Sequence, residues 1–175
     1  MVRFQRQPPG TAITRAALLI GAAAAPLAAA LVVGGDPVAG GATAALSAIL
    51  LLAGGHRANH GAGGPVDRAL TEFADRLWDG AVFGSIIWVS VDEPGVAAGA
   101  LVALCASFLS SYVRAKGASL GYSVEESHVT RGIRYGLVSL GLVTGALAMT
   151  VWAAAILSVV AALVRTTQVA HEERA

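Results

Sequence analysis

Six apolar runs, each long enough or nearly long enough to cross a bilayer, leave this chain few folds to choose from. At about 20 residues per crossing, they fall at approximately 13–34, 37–55, 70–91, 95–116, 132–149 and 150–165, the second and sixth being short. Hydrophobic residues make up 55% of the chain and charged residues 13%, against about 25% charged in a soluble domain. The apolar mass is mostly Ala, Val, Leu and Gly, which suits helices packed closely in lipid. The expectation is an all-α integral membrane protein, one domain over residues 1–175 with six transmembrane helices. The last two share a short turn around "AMTVW". "RFQRQ" before the first run resembles the start of a signal peptide, but five further runs favour a retained first span.

Charge then orients the bundle. With six spans both termini share a side, and all 12 Lys and Arg fall on that side or at its boundary. The opposite side carries only Asp36, Asp92 and Glu93. The positive-inside rule makes the first side cytoplasmic, which predicts a multi-pass protein of the cytoplasmic (inner) membrane with both termini inside. The connections over 56–69 and 117–131 then face the cytoplasm, the first as a Gly-rich flexible loop, the second with a short interfacial helix at "SVEES". Cys105 lies in an apolar run and reads as packing. No basic tail or aromatic–basic interleaving points to nucleic acid.

Chemistry-bearing residues are few. On the third run Asp67, Thr71, Asp75 and Asp79 recur every fourth residue and form one helical stripe. Ionisable groups at a span mark a functional site by default, and carboxylates one turn apart can chelate a hard cation such as Mg²⁺. The plainer alternative, which spacing alone favours, is an ion-pair network of Glu72 with Arg76 and Arg68 with Asp75. His56 and His60 have the i, i+4 spacing of a metal pair but no obvious third ligand, so solvated histidines are expected. The pairs Gly80/Gly84, Gly95/Gly99, Gly132/Gly136 and Gly141/Gly145 read as packing inside the bundle rather than as a dimer face.

"ADRLWDGAVFGSI", "SFLSSYVRAKGASLGY" and "VTRGIRYGLV" together resemble the CDP-alcohol phosphatidyltransferase family, in particular the phosphatidylinositol-phosphate-forming branch of actinobacteria, over residues 50 to 140. The resemblance implies a six-helix bundle. It also implies the motif D-x-x-D-G-x-x-A-R-x8-G-x-x-x-D-x-x-x-D, whose four aspartates hold Mg²⁺ or Mn²⁺ and the pyrophosphate of a CDP-lipid. Counted back from Asp75 without a gap, the first three aspartates fall on Leu50, Ala53 and Thr71. Gly54 matches the motif glycine, and Asp79 belongs to the downstream "DRxxDG" stretch. Asp75, Asp79 and Gly54 are thus a remnant of the metal or nucleotide site, and Leu50, Ala53 and Thr71 are lost positions.

On the acceptor side the resemblance retains Arg114 and Lys116 in "SYVRAK", and Arg131 and Arg134 in "TRGIR". Basic residues there hold the acceptor's phosphate in the family, a task suited to charge-assisted donors; the same residues also suit positive-inside anchors. With three carboxylates missing, the leading reading is a divergent, catalytically impaired member tied to phospholipid synthesis. Its partners would be membrane lipids, CDP-diacylglycerol and a phosphorylated alcohol, and either a second copy in a homodimer or an active relative. Two alternatives stand beside it: an active transferase with an altered metal site releasing CMP, and a transporter or structural bundle without enzymatic activity.

Overall fold

The computed structural model describes residues 11–122 and 128–172. Glu125, Glu126 and the expected helix at "SVEES" lie outside the described residues, as do Arg3, Arg6 and Arg174. Six α-helices follow one another: α1 (Thr11–Val33), α2 (Pro37–Arg57), α3 (Pro65–Val89), α4 (Pro94–Ser119), α5 (His128–Thr144) and α6 (Leu147–Glu172). Three of them open on proline, whose fixed φ and missing N–H suit the first helical turn. Asp36 caps α2 by accepting from the Ala39 N–H at 2.9 Å.

Two connections differ from expectation. The break between the last helices falls at Gly145, not in "AMTVW", because Gly145 takes φ +75°, a left-handed turn that favours glycine. Gly145 is therefore a turn and not half of a packing pair. The 56–69 segment is largely helical rather than a flexible loop: α2 continues into a π-helical turn, Ala58–Ala62, before α3 begins at Pro65. His56 and His60 stack there with ring centroids 4.1 Å apart.

In space the helices close a ring in the order α1, α2, α5, α6, α4, α3, with α2 also reaching α3. Among the described residues α3 and α5 are not backbone neighbours; they face each other across the interior. Close approach around the ring depends on small residues, since in lipid it is packing rather than water exclusion that draws helices together. Gly41 meets Leu142 and Ser139 of α5, and Gly99 meets Val151 and Trp152 of α6. Gly141 abuts Thr150 across the α5–α6 turn. Gly80 and Gly84, by contrast, have open space where a Cβ would stand, so that pair packs against nothing inside the bundle.

The core is apolar towards the turns at 34–36, 90–93 and 145–146, with Val32, Ile86, Val96 and Val151 buried. Towards the other end it becomes polar. Trp78 marks the boundary: it is fully buried, donates its indole N–H to the Ala44 carbonyl at 3.2 Å and lies over Tyr135 at 4.0 Å. Four helices, α1, α2, α4 and α6, are long and apolar enough to cross a membrane. The other two, α3 and α5, carry the charged residues that are buried among the described residues.

Candidate functional site

All four members of the α3 stripe, Asp67, Thr71, Asp75 and Asp79, are buried, as one helical face turned to the interior requires. Asp67 accepts from the Gly64 N–H at 2.7 Å and from Arg15 Nε of α1 at 2.5 Å. The Arg15 hydrogen bond holds the Asp67 carboxyl below the usual carboxylate range, against the opposing effect of burial. Thr71 donates its hydroxyl to the Asp67 carbonyl, 2.8 Å away.

Below them the two remaining carboxylates meet α5. Asp75 Oδ2 lies 2.5 Å from Arg131 Nη1, and Asp75 Oδ1 accepts from the Tyr135 hydroxyl at 3.0 Å. Arg134 Nη2 donates to both oxygens of Asp79, at 2.9 and 3.0 Å. Asp79 Oδ2 is also 3.0 Å from Arg76 and accepts from the Ser107 hydroxyl. An ion-pair network therefore exists, but with other partners than the spacing within α3 suggested. Glu72 pairs with Arg114 of α4 at 3.1 Å rather than with Arg76, and Asp75 pairs with Arg131 rather than with Arg68. Side chains reaching across the bundle supply a partner at every carboxylate, which neighbours on one helix face could not do.

Two adjoining polar clefts open beside this network, with about 20 Å³ and about 50 Å³ of room for water-sized molecules. They share Arg76, Ser111, Arg114 and Arg131; the first adds Arg134 and Arg165, and the second Glu72 and Asp75. Of the four cations expected in an acceptor pocket, Arg114, Arg131 and Arg134 line this space. Lys116 is exposed and does not. Arg134 has a buried Nε without a hydrogen-bond partner. Arg76, Arg165 and the hydroxyls Ser107, Ser110 and Ser158 were missed by sequence reading. The signal was present: Ser107, Ser111 and Arg114 on α4, and Ser158 and Arg165 on α6, are spaced to share one face of otherwise apolar helices.

The α2 side departs from the ungapped count. A Cβ at Gly55 would stand 2.8 Å from Thr71 Cγ2 and 3.8 Å from Arg131 Nη1, and Leu52 lies against Gly132 of α5. Ala53 is exposed, and Leu50 reaches Gly21 of α1. The α2 position facing Thr71 is thus Gly55, with Leu52 one turn before it facing α5, rather than Leu50 and Ala53. Gly54 faces Leu18, where it lets α2 approach α1, and it takes no part in the clefts. A π-helical turn, Ala58–Ala62, stands between these α2 positions and α3.

No family model matches the chain. Over 88 residues it is 40% identical to the phosphatidylinositol phosphate synthase of Corynebacterium glutamicum, a stretch that covers 47% of this chain and 40% of that relative. The chain thus matches under half of the relative's length. Two solved structures of the phosphatidylinositol phosphate synthase of Mycobacterium tuberculosis share its fold. The one with CDP-DAG bound has a TM-score of 0.74 at 22% identity, over 91% of this chain and 85% of that one. The one in complex with manganese and citrate has a TM-score of 0.75 at 24% identity, over 91% and 88%. The sequence match is thus to part of a phosphatidylinositol phosphate synthase, and the solved structures show that the fold is shared.

Proposed function

We propose that this chain is a six-span, single-domain membrane protein of phospholipid synthesis that has lost the metal-dependent transfer reaction and kept an anion-binding cleft. In this reading both termini face the cytoplasm, as the distribution of Lys and Arg requires. The cleft takes the phosphate of a phosphorylated alcohol or of a CDP-lipid. The observation that carries the reading is the pairing of Asp75 with Arg131 and of Asp79 with Arg134.

A site for Mg²⁺ or Mn²⁺ needs several oxygen ligands in a nearly octahedral array, and the donors here do not fit it. Both carboxylates are held by guanidinium groups, and Thr71 gives its hydroxyl to a backbone carbonyl. Among the described residues no three His, Cys, Asp or Glu are grouped to hold a metal. The cations favour a ligand of opposite sign: the five arginines of the clefts outnumber Glu72, Asp75 and Asp79, and guanidinium groups recognise phosphate oxygens through paired donors.

The test is CMP release by purified protein in detergent, with CDP-diacylglycerol, inositol phosphate or glycerol phosphate, and Mg²⁺ or Mn²⁺. The expected result is no release above background. Turnover that Asp75→Asn abolishes would overturn the reading and establish an altered metal site.

A further inference from the structure

We infer that Arg131 and Arg134 take the electrostatic place of a divalent cation as fixed, built-in positive charges, so that this chain binds its phosphate-type anion without a metal. The inference rests on the reading above and goes beyond it by assigning the lost cation's tasks to named residues. The first task is to neutralise adjacent buried carboxylates. Both oxygens of Asp75 and both of Asp79 already have an ion-pair or hydrogen-bond partner within 3.0 Å, and the two α5 guanidiniums supply the positive charge. An incoming cation would have to displace one of them. That guanidinium would stay buried, since Arg131 and Arg134 are only 8% and 7% exposed, and a buried unpaired charge is strongly disfavoured.

The second task is to tie helices together through a shared ligand. α3 and α5 are not backbone neighbours, yet these two ion pairs and the Tyr135–Asp75 hydrogen bond join them across the interior. A guanidinium also does what a metal cannot, because it keeps N–H donors for an anion while it pairs with a carboxylate. Arg134, with a buried Nε that has no partner, lines the cleft.

The full chain in detergent is titrated with Mn²⁺, with the free six-line electron paramagnetic resonance signal as readout. Its thermal midpoint is measured with inorganic phosphate in EDTA and in Mn²⁺. The expected results are a Mn²⁺ signal equal to that of buffer and a phosphate-induced rise that is the same in both solutions. Stoichiometric Mn²⁺ uptake by the parent protein, or a phosphate effect that vanishes in EDTA, would overturn the inference. No phosphate effect in either solution would instead overturn the anion cleft proposed above, and metal-free binding with it, while the Mn²⁺ titration still decides whether arginine replaces the cation. Arg131→Gln should make the midpoint respond to Mn²⁺, and Arg131→Lys should leave it indifferent. A folded Arg131→Gln protein with no response to Mn²⁺ would overturn the role given to the guanidinium.

Discussion

Replacing Asp79 by leucine should be among the most destabilising single changes this bundle can suffer. Asp79 is fully buried and receives Arg134, Arg76 and Ser107. Its loss strands Arg134, which is 7% exposed and, among the described residues, hydrogen-bonds to no other carboxylate. Arg76 is better placed to adapt: its side chain is 23% exposed and already lies over the Phe108 ring at 5.3 Å. Breaking a buried pair from one side costs about 3–5 kcal/mol. At about 2–4 °C per kcal/mol for a chain of this size, the apparent midpoint should fall by roughly 6–20 °C. Trp78, buried over Tyr135 beside the network, makes intrinsic fluorescence in detergent a direct assay. The double change Asp79→Leu/Arg134→Met removes both charges, and exchange of a whole buried pair for apolar residues is about neutral or stabilising. It should recover most of the loss. A fall of less than about 3 °C for Asp79→Leu, or a double variant no better than the single one, would refute the argument that the penalty comes from the stranded guanidinium.

Other outcomes follow from the same geometry. Cysteine placed at Asp36 or Asp92 should be labelled by an impermeant reagent from outside intact cells, and cysteine at Asn59 should not; the reverse pattern would reject the orientation. The depressed Asp67 carboxyl contributes stability above its unfolded value of about 3.9, and loses it as pH falls through the lower folded value. The midpoint advantage of the parent over Arg15→Leu should therefore be constant above about pH 5 and shrink on further acidification, as thermal melts across that range would show. Carboxylates restored by Gly55→Asp and Thr71→Asp in an Arg131→Gln background should tighten Mn²⁺ binding beyond that of Arg131→Gln alone, readable by the same resonance signal. The set Leu50→Asp, Ala53→Asp and Thr71→Asp should not, because Ala53 and Leu50 face away from Thr71.

The helices were legible because apolar length and punctuation by proline and glycine are local properties: α1 to α4 begin and end within a few residues of the expected runs. The α5–α6 break was misplaced because Gly145 read equally well as half of a packing pair, and only its φ of +75° distinguishes the two roles. The buried stripe of Asp67, Thr71, Asp75 and Asp79 followed from spacing alone. Its partners did not, since Arg131 and Arg134 lie more than fifty residues away in sequence and come from a helix that does not touch α3 along its backbone. Arg165 and Ser158 share a face of α6 by spacing, but spacing does not say which neighbouring helix that face meets, so the cleft they line stayed unread.

That the carboxylates of α3 find their counter-charges on a helix made later in the chain bears on how the protein is built. In the six-span arrangement proposed above, α3 would enter the bilayer while α5 is still unsynthesised. Aspartate near the middle of an isolated span is disfavoured by about 2.5–3.5 kcal/mol on insertion scales. Arg76 can relieve Asp79 at once through the i, i+3 pair within α3, but Asp75 has to wait for Arg131 and Tyr135. In that arrangement the third helix would depend on the fifth for its counter-charges. A nascent chain arrested between α4 and α5 should then hold α3 loosely, with Asp75 still lacking the partners it has in the finished bundle.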